Sequence, residues 1–106
     1  MSNPVSFAAR VSIPQDVLHQ ELDGESVILN VESGRYFGLD DVGNRMWRAL
    51  AEAESIEHAF RVLLAEFEVD EQKLRSDLGR LVVELLDHGL LKIEATQDLA
   101  GGIAAP

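Results

Sequence analysis

Hydrophobic and polar positions along this chain change rhythm near residue 40. Before that point they alternate in steps of two, and after it they recur at three and four. In DVLHQEL (Asp16–Leu22) polar and apolar residues alternate, with Leu18 and Leu22 on one face. Asp23-Gly24 follows, a turn dipeptide because glycine takes a positive φ without steric cost. SVILNV then offers Val27, Leu29 and Val31 on one face, and Glu32-Ser33-Gly34 supplies the next turn. RYFGL closes the series as a brief third strand. Tyr36 and Gly38 lie on one side of it, and Arg35, Phe37 and Leu39 on the other.

Three helices are predicted beyond it. Asp40 caps the first, which runs from about Asp41 to Ala53. Its apolar stripe is Val42, Met46, Ala49, Leu50 and Ala53, with Trp47 at the margin. Ser55 caps a second helix carrying Ile56, Phe60, Leu63, Leu64 and Phe67. Asp70 caps a third, Glu71 to His88, whose broad apolar face holds Leu74, Leu78, Leu81, Val82, Leu85 and Leu86. Gly89 stops it in the left-handed conformation. Leu90 to Ile93 reads as a short strand or a docking tail. Residues 1–15, with Pro4 and Pro14, read as a flexible arm in which Val11-Ser12-Ile13 has the character of a strand. Residues 94–106 read as a flexible tail. The expectation is one domain over residues 16–93, of α+β class. It is winged helix-turn-helix-like, a three-stranded antiparallel sheet followed by three helices, with one sheet face packed on the helices.

Charge narrows the partners. Nineteen acidic and 9 basic residues among 106 give a formal net charge of -10, which repels phosphate backbones and anionic lipid. Neither nucleic acid nor a membrane is expected as a partner. The absence of cysteine excludes thiol and disulfide chemistry. No run approaches the roughly 18–20 apolar residues of a membrane span, and MSNPVSFAARVSIPQ does not resemble a secretory signal. A cytoplasmic location is expected. No serine sits in a strand-to-helix elbow with a base, and His19, His58 and His88 are isolated in sequence. Paired acids fall at helix starts, where capping explains them. No phosphate-binding glycine loop occurs. The chain therefore reads as a non-enzyme with no metal or cofactor.

The informative feature is the third strand. It pairs with the second strand on one side, and its other edge carries unpaired backbone groups guarded only by Arg35. Gly38 leaves room for another backbone to approach. On a helical wheel Leu74, Leu78, Leu81 and Leu85 mark the centre of the third helix's apolar face, Val82 and Leu86 sit toward one side, and Arg75, Gly79 and Val83 continue round that side. A cleft between Arg35–Leu39 and this margin would take an extended peptide as an added strand. Tyr36 and Phe37 also read as plain core or boundary residues, and Gly79 as close helix packing.

The run LN-x-x-SG-x-YF-x-L (Leu29–Leu39), followed by Gly43 and Trp47, the link VDEQKL and the ending L-x-x-HGLL, resembles the PqqD-like family. These domains are recognition elements for ribosomally made, post-translationally modified peptides. The resemblance covers about Asp16 to Ile93. It implies a domain that binds a precursor's leader as an extra strand beside the third strand and third helix, and that does no chemistry. The implied partners are the leader and a modifying enzyme. That enzyme is either a radical SAM enzyme in quinone cofactor synthesis or a leader peptidase and cyclase in lasso peptide synthesis; the chain resembles the lasso type more. Two other occupants compete. A winged-helix nucleic-acid binder is opposed by Glu71, Asp77, Glu84 and Asp87 among the cations of the third helix. A homodimer could form through the open edge or the N-terminal arm.

Overall fold

The computed structural model describes residues 6–94. In chain order they form β1 (Arg10–Ser12), β2 (Val17–Leu22), β3 (Glu25–Asn30), β4 (Tyr36–Leu39), α1 (Asp41–Glu52), α2 (Ile56–Glu66), α3 (Glu71–Asp87) and β5 (Lys92–Glu94). Asp23 (φ 55) and Gly24 (φ 84) both lie in the left-handed region, as a two-residue hairpin turn requires. They bring β2 and β3 together antiparallel, and β4 pairs with the other side of β3. The predicted α+β, winged-helix-like order is the observed one.

All three helix starts are capped as the sequence indicates. Asp40 accepts from the Gly43 amide (2.8 Å), Ser55 from His58 (3.0 Å) and Asp70 from Lys73 (2.9 Å). Gly89 (φ 72) ends α3. Its amide donates to the Leu86 carbonyl (3.1 Å), and the Leu90 amide reaches back to Leu85 (2.8 Å). That pair of bonds satisfies carbonyls that the last helical turn leaves open. The reversal carries Leu90 and Leu91 straight into the core, where both are buried.

The core lies between the helices and one face of the sheet. Ile28, Leu50, Ile56, Phe60, Leu63, Leu78, Val82 and Leu85 are its wholly enclosed centre. In β3 the buried positions are Ser26 and Ile28. The Val27, Leu29 and Val31 face points away from the helices, with Val27 46% and Val31 52% exposed. In α1 the stripe is rotated from the expected one: Trp47 is 3% exposed, while Val42 is 47% exposed. Burying the indole gains more apolar area than burying a valine. The rotation also brings Asn44 inside, where its Oδ1 accepts from Ser26 Oγ (2.9 Å) and lies 3.0 Å from His19 Nε2.

Part of the predicted N-terminal arm has a defined place. β1 pairs antiparallel with β5, Arg10 opposite Glu94 and Val11 opposite Ile93, and Val11 is buried. Before it, the carbonyls of Ala9 and Phe7 accept from the amides of Ile56 (3.0 Å) and Glu57 (2.8 Å), the otherwise open donors at the start of α2. Residues 1–5 of the arm and 95–106 of the tail lie outside the described residues. No helix among the described residues is long and apolar enough to cross a membrane.

Two substitutions test this account by urea denaturation. Gly89→Ala forces a side chain into the left-handed region and should cost about 1–2 kcal/mol. Phe60→Ala empties the centre of the core and should cost about 3–5 kcal/mol.

Candidate functional site

Hydrogen bonding along β3 and β4 decides which groups of β4 face outward. The Asn30 amide donates to the Arg35 carbonyl (2.9 Å). Bonded and non-bonded pairs alternate along an antiparallel ladder. Ile28–Phe37 and Ser26–Leu39 are therefore the bonded pairs in this register. The N–H and C=O of Tyr36 and Gly38 then point to the free side of β4. Among the described residues no strand pairs with that side. A Cβ added at Gly38 would meet nothing within 4 Å, so the outer face of the sheet is open at this position.

The C-terminal end of α3 is held beside the start of β4. The Asn30 side-chain amide donates to the Gly89 carbonyl (2.9 Å), while its Oδ1 accepts from the amides of Glu32 (2.9 Å) and Ser33 (3.1 Å). Arg35 donates to the Asp87 carbonyl (3.1 Å) and lies 3.9 Å from the Asp87 carboxylate. A cation is favourable there, because open carbonyls concentrate negative charge at a helix C-terminus. The guard residue of the edge is thus turned toward the helix. Phe37, half-buried, meets the His88 ring edge-on at 5.3 Å. His88 Nδ1 is itself 2.8 Å from the Glu84 carbonyl.

Other expected site residues are placed differently. Leu39 is buried, Leu78 and Val82 are fully enclosed, and Gly79 is buried too, so these form a foundation rather than an accessible wall. Val83 and Leu86, both half-buried, carry what α3 offers near its C-terminal end. Tyr36 is 67% exposed, its side chain on the outer face of the sheet. Arg75 belongs elsewhere. Twelve residues before Asp87, it lies about 18 Å away along the helix. Its guanidinium lies over the rings of Phe60 (4.3 Å) and Phe7 (4.9 Å) and donates to Glu57 (3.2 Å). That bond is the main reason the Glu57 carboxyl is held below the ordinary glutamate range, with Arg61 contributing less. Arg75 therefore secures the arm and α2.

Sequence reasoning did not single out Asn30 and His88, which tie the start of β4 to the end of α3. Asparagine before a turn was a signal for its local bonds. Nothing local signalled its second bond, to a carbonyl 59 residues away.

Fold and edge together define a small winged-helix-like domain in which, among the described residues, one side of β4 has no partner strand. The chain belongs to the PqqD family: the description Coenzyme PQQ synthesis protein D (PqqD) matches residues 25–91. It is similar to a chain of the solved structure "TbiB1 in Complex with the TbiA(beta) Leader Peptide". That likeness has 34% identity, spans 80% of this chain and 99% of that one, and gives a TM-score of 0.71. A chain of "Lasso peptide synthetase B1 complexed with the leader peptide" shares the fold, with TM-score 0.69 and 24% identity over 79% of this chain and 99% of that one. No curated protein matches the chain.

The Arg75–Glu57 pair predicts a pH dependence. A carboxyl with a depressed folded pKa adds stability above its unfolded value and loses it as pH falls through the folded one. The stability gap between wild type and Glu57→Gln should therefore be present at neutral pH. It should close as pH falls below about 4, the usual carboxylate range. Urea midpoints across that range measure it, and a gap independent of pH contradicts the assignment.

Proposed function

We propose that this chain recognises the leader segment of a ribosomally made precursor peptide. The leader adds as an antiparallel strand to β4, along the C-terminal half of α3, and the chain does no chemistry itself. It presents the precursor to the peptidase and cyclase of lasso peptide synthesis, in the cytoplasm where such precursors are made. The carrying observation is the outward-facing backbone of Tyr36 and Gly38, which has no partner strand among the described residues. The likeness to TbiB1, solved with a leader peptide, supports the same reading.

The energetics divide the work. Four ladder bonds contribute about 2–6 kcal/mol net. Two or three buried side chains of the leader add about 3–9 kcal/mol. Ordering the leader costs about 2–5 kcal/mol, before the association entropy. Affinity then depends on how well side chains fit around Phe37, Val83 and Leu86, while the ladder sets position.

The family description favours a second reading of the same site, delivery of a precursor to a radical SAM enzyme in quinone cofactor synthesis. The two differ in partner enzyme and not in binding chemistry. A nucleic-acid role finds less support. Lys73 and Arg80 both bind Asp77, and Arg75 binds Glu57, so the cations of α3 already have carboxylate partners. A homodimer through the β4 edge would compete with the leader for the same groups, and light scattering with and without leader separates the two.

A proline at position 38 removes an outward donor and leaves the β3–β4 bonds intact. Gly38→Pro should weaken leader binding on the order of tenfold by fluorescence anisotropy, the loss of one ladder bond and its partner's satisfaction. Gly38→Ala should bind within about twofold of wild type, since it keeps that donor. Amide shifts on titration should centre on β4 and the last turns of α3. Equal affinity for the proline variant, or shifts confined to α1 and α2, refutes the proposal.

A further inference from the structure

The sheet has its polarity inverted. In β2 the residues facing the helices include His19 and Glu21, and those facing outward include Leu18 and Leu22. Register extends the outward set across the sheet. Leu18 lies opposite Leu29, which lies opposite Tyr36; in the next row Gln20 lies opposite Val27, which lies opposite Gly38, and in the last Leu22 lies opposite Glu25. Leu18 is 57%, Leu22 76%, Val27 46% and Tyr36 67% exposed. An antiparallel sheet with one solvated face normally turns its polar residues outward. An apolar face of neighbouring side chains on three strands marks an interaction surface. Gly38 leaves a hollow of about 520 Å³ in it, bordered by Leu22, Glu25 and Val27.

Charge selects the occupant. Residues 16–40 hold six acids and one lysine or arginine, Arg35, which is turned to Asp87. Glu21 pairs with Arg48 on the inner side. On the outward face Glu25 remains, and Asp16, Asp23 and Glu32 are exposed in the segments that flank the strands. A second copy, also at -10, would set acid against acid across the contact, and anionic lipid would be repelled likewise. A protein surface with an apolar centre and a lysine- and arginine-rich rim fits.

Position supplies its identity. A strand added to β4 lies about 4.8 Å away and turns alternate side chains to this same outer face. A partner seated here would touch the sheet and the bound peptide together. We infer that the outward face of β2–β3–β4 docks the enzyme that processes the bound precursor; this identity rests on the leader-binding function proposed above. Because the added strand enlarges the face, leader and enzyme strengthen each other's binding by the same factor.

The test uses the full chain, a synthetic leader of the precursor encoded beside it, and the purified peptidase and cyclase of that cluster. Leu18→Lys/Leu22→Lys alters β2, about 9–10 Å from β4, so it leaves the leader edge untouched. The expected result is enzyme binding weakened by about tenfold or more by interferometry. Leader affinity should stay within about twofold, with an unchanged melting curve. Glu25→Lys/Glu32→Lys should weaken the same complex and reduce its salt dependence. Wild-type binding to neither enzyme, or binding unaffected by Leu18→Lys/Leu22→Lys, overturns the inference. So does a wild-type dimer that the same variant dissolves, which would assign the face to a second copy. If the wild type ignores the leader while enzyme binding still responds to the lysines, the leader-binding function fails and the docking face stands.

Discussion

One side chain, Asn30, holds the architecture of the groove together. Its oxygen shapes the turn into β4, and its side-chain N–H donates to the carbonyl of Gly89, just past the end of α3. The edge of the sheet and the wall of the helix are thus placed relative to each other by one residue. Each such bond is worth only about 0.5–1.5 kcal/mol net. Their value here is geometric, since they act on the two elements that must stay in register. Arg35 on Asp87 and Phe37 against His88 reinforce the same junction. The left-handed glycine at 89 makes it possible, because it ends the helix where Asn30 can reach.

A second theme is how polarity is distributed between the two faces of the sheet. The face toward the helices contains Ser26 and His19, and the structure satisfies them through Asn44. A buried asparagine without partners would be costly, but two donors converge on its oxygen. The same register that turns these polar groups inward turns leucines outward. Ile28, Phe37 and Leu39 suffice to seal the sheet against the helices.

Much of this was legible locally. Caps at Asp40, Ser55 and Asp70, the turn at Asp23-Gly24 and the stop at Gly89 depend on neighbours in sequence, and each stood where its residue type indicated. Alternation in β3 showed that two faces exist but not which one meets the helices, since Val27 and Ile28 are equally apolar. Trp47 was misjudged for a related reason: a periodic stripe has a width, and tertiary packing decides its centre. Arg75 had the correct angular position on the helix for the groove. Its height along the axis, and the aromatic pair beneath it, come from the arm and α2, which no local pattern connects to it. The edge of β4 was legible because a strand with one neighbour is a counting argument.

The pairing of β1 with β5 closes the chain on itself. Arg10 and Glu94 sit opposite each other in an antiparallel ladder, which brings their backbones to about 5 Å. The chain running into β1 and the chain running out of β5 therefore lie side by side, at a pair built on Val11 and Ile93 and not on β4. That geometry suits grafting: with its two ends side by side, the unit can be spliced into a surface loop of another protein through a sheet separate from the one that holds β4.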